Sequence, residues 1–193
     1  MELAGLRALL VSPEGADDDG DAPGIVLVHG AAGLDRATRE LAERLGAHGF
    51  CVLAPDLCSR GEADPADRRA LQDLDTAARF LGQREEVDAR SLAVVGTGRG
   101  GTLAFLAGCT STRFSCVVDR DGPVLYPELS EARPIQPIEL LLNLDRPLLA
   151  LFSTGDTTLL EQHLADANKD FELARCPVEE HEPRTLCFLR ERM

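Results

Sequence analysis

The chain has 193 residues, of which 44% are hydrophobic and 27% are charged. This balance predicts one domain over residues 1–193 and excludes wholesale disorder. The net charge is -13, from 33 acidic and 20 basic residues, which argues against nucleic acid or an anionic membrane surface as a partner. No apolar run approaches the roughly 20 residues that span a bilayer. Residues 1–11 lack signal-peptide features, so we expect a cytoplasmic protein.

Six cysteines are too sparse in a chain of this length for a disulfide scaffold, and their spacing fits no zinc site. We therefore expect no metal and free thiols, with Cys51 and Cys116 buried in apolar runs. Charged residues at 17–19 and 84–86 are expected to be exposed and functionally silent.

Seven short runs of β-type sequence follow one another along the chain. They cover 6–11, 24–29, 50–54, 91–96, 114–119, 147–152 and 171–176. The runs 24–29 and 148–152 are apolar throughout, which is typical of strands covered by helices on both faces. The sequence therefore predicts an α/β fold with a doubly wound, mostly parallel sheet of about seven strands, flanked by helices.

Helical patterns separate most of these runs. Asp35 is a candidate cap for a helix that turns Ala37, Leu41 and Leu45 inward, and Asp64-Pro65 is a candidate start for a second helix. Three further helices are predicted at 101–109, 157–167 and 184–192, the last begun by Pro183. Ligands of such sheets bind at the carboxyl ends of the strands, so the residues that follow each run are the functional candidates.

The fourth run ends in Gly96-Thr97-Gly98-Arg99-Gly100-Gly101. One interpretation is a dinucleotide fingerprint, with Asp119 as the ribose-binding acid of an oxidoreductase. It is disfavoured because the fingerprint would then lie in mid-chain, after two strand–helix units. The other interpretation is a nucleophile elbow, whose central position is Gly98 and so carries no side chain.

An acid and a histidine follow the last two runs. Asp156 comes after the sixth and His181 after the seventh, which is the chain order of an α/β-hydrolase triad. Asp119 and Asp121, after the fifth run, are alternative acids, and Asp156 is preferred. The turn His29-Gly30-Ala31 after the second run is made of small residues that leave backbone N–H groups free for an oxyanion, although a plain tight turn is equally compatible.

Taken together, these segments resemble the dienelactone hydrolase family from about residue 5 to the end. The matching segments are His29-Gly30, Pro55-Asp56-Leu57, Val94-Val95-Gly96 with Gly100-Gly101, 149–152 with Asp156, His181, and the closing 184–191. The resemblance implies an α/β-hydrolase fold without a cofactor, which cleaves esters or lactones. By position it places the nucleophile at Gly98, the acid at Asp156 and the base at His181.

The sequence departs from this family at three points. Gly98 cannot act as a nucleophile, so covalent hydrolysis is expected to be impaired or lost. Gly30 stands where these enzymes carry a glutamate, and the segment after His181 is short. The resemblance makes the N–H groups of Ala31 and Arg99 the oxyanion donors. Candidate binding residues for a small ester, lactone or related ligand are His29, Gly30, Arg99 and Asp121.

Several functional alternatives stay open. His181 and Asp156 could activate water by general-base chemistry, or another side chain could replace the nucleophile: Cys58, Ser59, Thr97, Ser153 or Cys109. A non-catalytic ligand-binding or regulatory protein on the same fold is the second class. We expect His181 and Asp156 within about 2.6–3.2 Å of each other and a positive φ at Gly98. Gly98→Ser and Gly98→Cys are expected to lose a little stability and to gain esterase activity.

Overall fold

The computed structural model describes residues 1–3, 5–13 and 22–193. An eight-stranded sheet, in the order β1-β2-β4-β3-β5-β6-β7-β8, forms the centre of these described segments. Its strands are β1 (Glu2–Leu3), β2 (Leu6–Val11), β3 (Ala22–Val28), β4 (Cys51–Pro55), β5 (Val87–Thr97), β6 (Cys116–Arg120), β7 (Leu148–Phe152) and β8 (Phe171–Arg175). The six strands from β3 to β8 all pair in parallel. At one side of the sheet, β2 pairs antiparallel with β4, and β1 pairs antiparallel with β2. The predicted fold class is thus confirmed.

Helices cover both faces of the sheet. They are α1 (Arg36–Ala47), α2 (Asp67–Leu81), α3 (Arg99–Thr110), α4 (Thr158–Asp166) and α5 (Val178–Arg192), with a 3₁₀ helix at Pro137–Asn143. The core on one face joins α1 and α5 to the sheet. The core on the other face contains α2, α3, α4 and the 3₁₀ helix. Neighbouring residues of β3 alternate between the two cores, since Val26 belongs to one and Leu27 to the other.

The helix starts test the capping predictions. Asp35 caps α1 as predicted, because its carboxylate accepts the Thr38 N–H at 2.8 Å, although Ala37 is exposed. The predicted start of α2 at Asp64-Pro65 is wrong, since the helix begins at Asp67.

The predicted start of the last helix at Pro183 is also wrong. The helix α5 begins at Val178, directly after Pro177, and contains Pro183 in its interior. Five helical residues therefore precede Pro183, and His181 lies on the helix and not in a loop.

The predictions of exposed charged residues are confirmed only in part, whereas those of buried, free thiols are confirmed. Glu85 is exposed, but Arg84 and Glu86 are half-buried and form an ion pair at 2.5 Å, so their predicted exposure is wrong. Residues 17–19 lie outside the described residues. All six cysteines are free, with Cys51 and Cys116 buried as predicted. Among the described helices, none is both long and apolar enough to cross a membrane.

Candidate functional site

Gly98 forms the turn between β5 and α3, with φ 56° and ψ −123°. The positive φ predicted for this position is confirmed. The Gly98 N–H donates to the Arg120 carbonyl at 2.7 Å, and the Gly98 carbonyl accepts the N–H of Gly101 at 2.8 Å. The turn is therefore fixed by backbone hydrogen bonds to β6 and within the first turn of α3.

The glycines around Gly98 allow the chain segments to approach closely. A Cβ at Gly96 would lie 2.0 Å from the Gly100 carbonyl oxygen, and one at Gly100 would lie 2.3 Å from the Val28 oxygen. A Cβ at Gly101 would lie 2.2 Å from Asp119 Oδ1, whereas one at Gly98 would meet no heavy atom within 4 Å. The backbone is thus shaped as an elbow, with open space where a nucleophile would stand.

The end of β3 lies directly against this elbow. The Arg99 N–H opens α3, so it has no acceptor within its own helix. Ala31 follows β3 in an exposed turn, which is closed by the Gly33 N–H donating to the Gly30 carbonyl at 3.1 Å. Both positions lie at the same edge of the sheet, and their role as oxyanion donors stays a prediction.

His29 does not present a free imidazole to a ligand. It is 5% exposed. Its Nε2 accepts the Leu57 N–H at 3.0 Å, and its Nδ1 lies 2.8 Å from the Gly30 carbonyl oxygen. The Nε2 contact therefore joins the ends of β3 and β4, and the Nδ1 contact lies within the turn after β3. The binding role of His29 stays a prediction.

The Arg99 guanidinium is likewise occupied within the chain. It donates to Asp67 at 2.5 Å, to the Tyr126 hydroxyl at 2.8 Å and to Asp64 at 3.1 Å. Burial is the largest single influence and lowers the pKa of Arg99, but the hydrogen bonds to Asp67 and Asp64 and the charge attraction of Tyr126 and Asp67 together outweigh it and raise this pKa. Burial also raises the pKa of Tyr126 to about 12. Arg99 therefore anchors the segments around residues 64 and 126, and its role as a ligand-binding residue stays a prediction.

His181 does not meet the acid predicted for it. The His181 Nδ1 lies 3.7 Å from Asp121 Oδ2, and its buried Nε2 has no hydrogen-bond partner among the described residues. Asp156 is exposed and accepts the Thr158 N–H at 2.9 Å. The expected His181–Asp156 contact is not formed, because the early start of α5 places His181 beside the end of β6. The alternative acid, Asp121, is the carboxylate that faces this imidazole.

Asp121 also holds the end of β7. Its Oδ1 accepts the Ser153 N–H at 2.6 Å and the Ser153 hydroxyl at 2.9 Å. Its φ of 58° is positive, a conformation that asparagine and aspartate tolerate better than most residues. Ser153 is thus bonded to a carboxylate and not to the imidazole.

The thiols offer no better replacement for the nucleophile. Burial raises the pKa of Cys109 to about 12, so its thiol stays protonated at neutral pH. Burial also raises the pKa of Cys58, and that thiol donates to the Ala63 carbonyl at 3.2 Å. Neither sulfur is poised as a thiolate.

Several buried polar groups near the end of β6 lack hydrogen-bond partners within the described structure. They are Asp119 Oδ2, two nitrogens of Arg120, His181 Nε2 and Thr185 Oγ1. Burial raises the pKa of Asp119 well above its ordinary value, and burial lowers the pKa of Arg120. Neither Arg120 nor Thr185 is predictable as part of this group from the sequence, since nothing in an apolar strand pattern or a helix pattern marks either side chain.

A cavity of about 500 Å³ opens at the carboxyl ends of β6 and β7. We call it the β6–β7 cavity. Asp121 and Asp156 line it together with apolar side chains that include Val124, Phe152 and Leu159. Part of the wall comes from the loop after β6, of which the sequence predicts only Asp121 at the site.

A sequence model of the dienelactone hydrolase family matches residues 6–181. The chain belongs to this family. It is 27% identical over 178 residues to a Salmonella typhi protein that carries the name carboxymethylenebutenolidase, covering 83% of this chain and 65% of that protein. It is 29% identical over 152 residues to a Bradyrhizobium protein named as a 2-oxo-3-(5-oxofuran-2-ylidene)propanoate lactonase, covering 71% of this chain and 60% of that protein. The chain thus spans less than two thirds of the length of both relatives.

Solved structures support the same fold. A Klebsiella pneumoniae protein described as a dienelactone hydrolase superposes with a TM-score of 0.83 at 21% identity, covering 96% of this chain and 99% of that one. An acetyl xylan esterase from Paenibacillus sp. R4 superposes with a TM-score of 0.76 at 16% identity, covering 97% and 80% of the two chains. These likenesses establish the α/β-hydrolase architecture.

Membership of the dienelactone hydrolase family explains the glycine-rich turn without a dinucleotide. The strand order β4-β3-β5-β6 differs from the 3-2-1-4-5-6 order of the dinucleotide-binding sheet. In that fold the fingerprint follows the first strand, whereas here it follows β5. Asp119 is fully buried and bonded to the Gly122 N–H at 2.7 Å, so it is not placed to hold a ribose. The dinucleotide interpretation is not supported.

Three neighbouring side chains are of types that can coordinate a metal ion. Potential ligand atoms of His29, Asp56 and Cys58 lie within 4.8 Å of one another. Each residue is already engaged, His29 by the Leu57 N–H and Asp56 by Arg7 at 2.9 Å. The cationic Arg7 guanidinium also disfavours a metal ion beside Asp56.

Proposed function

We propose that this chain is a dienelactone hydrolase family protein that binds a small molecule at the strand ends and does not hydrolyse it through a covalent intermediate. The observation that carries the proposal is the state of two triad positions. Gly98 has no side chain, and the Nε2 of His181 is buried and has no hydrogen-bond partner in the part of the chain that the structure describes. An ester bound beside Gly98 would meet neither a nucleophile nor an accessible base.

The chemistry of an intact triad sets the size of the expected loss. A nucleophile attacks the carbonyl carbon, an imidazole takes its proton, and a carboxylate holds the imidazole tautomer. Removing the nucleophile of such a triad costs on the order of a million-fold in turnover. About 10³- to 10⁴-fold acceleration over water remains from binding and the oxyanion hole.

The parts of the site that remain are suited to binding. The backbone of the elbow is intact, and the Arg99 N–H at the start of α3 is a donor for a carbonyl or carboxylate oxygen. The β6–β7 cavity adds an apolar surface with a few polar groups, the usual composition of a small-molecule site. An ester, lactone or related carbonyl compound is the ligand class that family membership favours. A cytoplasmic location and the absence of nucleic-acid or membrane partners remain predictions from the sequence.

General-base hydrolysis by His181 is the second candidate function. It is favoured by the 3.7 Å distance between His181 Nδ1 and Asp121 Oδ2, since a carboxylate in this place can orient an imidazole. This function needs the first turn of α5 to move, because the Nε2 atom is buried.

Turnover of p-nitrophenyl acetate separates the two functions. We expect the wild-type chain, His181→Ala and His181→Gln to hydrolyse the ester at equal rates, because a buried imidazole cannot reach the substrate. Since surface imidazoles also catalyse this reaction slowly, His163→Ala is the matched control; His163 is an exposed residue of α4. A loss of turnover in the two folded His181 variants, but not in His163→Ala, would contradict the proposal and support general-base hydrolysis.

A further inference from the structure

The β6–β7 cavity has the size and composition of a ligand site. Its volume of about 500 Å³ lies within the range of roughly 300–1,000 Å³ that small-molecule sites occupy. Its apolar wall includes Phe152 and Leu160, together with Leu125 and Leu159, which are 45% and 43% exposed. Two large apolar side chains left open to solvent at one cavity indicate a surface that an apolar ligand would cover.

The charged residues that line this cavity are acidic. Asp121 and Asp156 line it, and within the described part of the chain none of the lining residues is a Lys, Arg or His. Hydrogen bonds from Thr158 lower the pKa of Asp156, so this carboxylate is ionised at neutral pH. Arg175 attracts Asp156 only weakly from outside the lining. The Asp121 carboxylate is held by Ser153 and lies 3.7 Å from the His181 ring.

We propose that the occupant of the β6–β7 cavity is a small apolar molecule that carries an ammonium group, such as an aryl or alkyl primary amine. The inference rests on the proposed function, that this chain binds a small molecule without hydrolysing it, and assigns to this cavity a ligand class other than the esters and lactones that family membership favours. The ammonium group lies at the Asp156 and Asp121 side, and the apolar group lies against Phe152 and Leu159. An anionic ligand is disfavoured, because two carboxylates face it in a chain whose net charge is -13.

Three probes of one shape test the charge preference. Phenethylamine, phenethyl alcohol and phenylacetate share an aromatic ring and differ in the charge of the polar end. In calorimetric titrations we expect the amine to bind about three- to tenfold more tightly than the alcohol, as an accessible ion pair allows. The carboxylate is expected to show no saturable binding. Equal affinities for the three probes, or no saturable binding of the amine, would overturn the inference.

Asp156→Asn tests where the amine binds. The asparagine side chain keeps an oxygen that can accept the Thr158 N–H, so the start of α4 is preserved. We expect the variant to bind the amine as weakly as it binds the alcohol, with the alcohol affinity unchanged. The matched control is Asp145→Asn, which removes the same charge from an 83% exposed side chain before the start of β7. An equal loss in both variants would mean that overall charge, and not this cavity, attracts the amine, and would overturn the inference.

The failure of the proposed function and the failure of this inference give different experimental results. Hydrolysis of p-nitrophenyl acetate that depends on His181 would overturn the proposed function and leave the amine preference to be decided by the titrations. Absent hydrolysis together with an absent amine preference would overturn this inference alone.

Discussion

The turn at Gly98 and the first turn of α5 lie at the same edge of the sheet, but they differ in how much open space surrounds them. The turn keeps the elbow backbone, with φ 56° and open space where a side chain would stand. The first turn of α5 buries His181 against the end of β6, so that its exposed fraction is 1%. The turn thus leaves open space at a position without a side chain, whereas the first turn of α5 carries an imidazole that is closed off from solvent.

The packing around each region explains this difference. The elbow is held by the close approach of β5, α3 and β3, since a Cβ at Gly96 or Gly100 would overlap backbone atoms. This geometry is set by the strand–helix junction and does not depend on the side chain at Gly98. The place of His181 depends instead on where α5 begins, which a few residues near Pro177 decide. Backbone packing therefore fixes the turn at Gly98, whereas the start of one helix fixes the position of His181.

The largest expected effect is that of Gly100→Ala, which tests the packing of the elbow. Its Cβ would lie 2.3 Å from the Val28 oxygen and 2.4 Å from the His29 oxygen, and backbone atoms cannot move aside cheaply. We expect the free energy of unfolding to fall by about 3 kcal/mol or more. Chemical denaturation monitored by circular dichroism measures it.

The matched control for that variant is Gly98→Ala, which adds the same methyl group in open space. Its cost comes from the positive φ alone and is expected to be about 1–2 kcal/mol. Equal losses in Gly98→Ala and Gly100→Ala would show that the close packing of the elbow is not what fixes its shape.

A smaller effect is expected for Asp119→Asn, which tests a buried carboxyl packed against Gly101. Burial raises the pKa of Asp119, so the folded protein binds this proton more tightly than the unfolded chain does. Its contribution is fully present below the ordinary pKa near 4 and is lost as the pH rises toward the folded-state pKa. Each unit of difference between the folded-state and unfolded-state pKa changes the free energy of unfolding by about 1.4 kcal/mol. Asparagine has no such proton, so the variant is expected to gain stability relative to wild type as the pH rises above about 4.

Urea unfolding at several pH values measures this gain. The control is Asp145→Asn, because that side chain is 83% exposed. A stability difference between Asp119→Asn and wild type that does not change with pH would contradict the assignment of Asp119 as a buried, protonated acid.

The elements that the sequence predicts well are those with local signals. Apolar runs locate every strand longer than two residues to within a few positions, and Asp35 marks the start of α1 through its contact with Thr38. The glycine pattern around Gly98 predicts the positive φ, because only close strand–helix packing requires so many glycines together.

The site details that the sequence misses depend on distant contacts. The Arg99 guanidinium is used by Asp67 and Tyr126, which are 32 and 27 positions away. Spacing alone favours Asp156 over Asp121 as the partner of His181. The position of the imidazole depends instead on where α5 begins, and spacing does not predict that. Pro183 suggests a helix start, but α5 begins directly after the earlier Pro177.

We infer that the site lacks an accessible base as well as a nucleophile, and the reaction of Gly98→Ser with a fluorophosphonate measures this. The open space at Gly98 can hold a hydroxyl, so the folded variant restores the missing atom. The sequence alone predicts a gain of esterase activity in this variant, but the structure reverses that expectation. Because the Nε2 of His181 is buried and has no hydrogen-bond partner among the described residues, we expect no stoichiometric labelling of the serine and the same slow rate in Gly98→Ser with His181→Gln. Rapid, stoichiometric labelling of Gly98→Ser that His181→Gln abolishes would contradict this inference and show that the triad needs only its nucleophile.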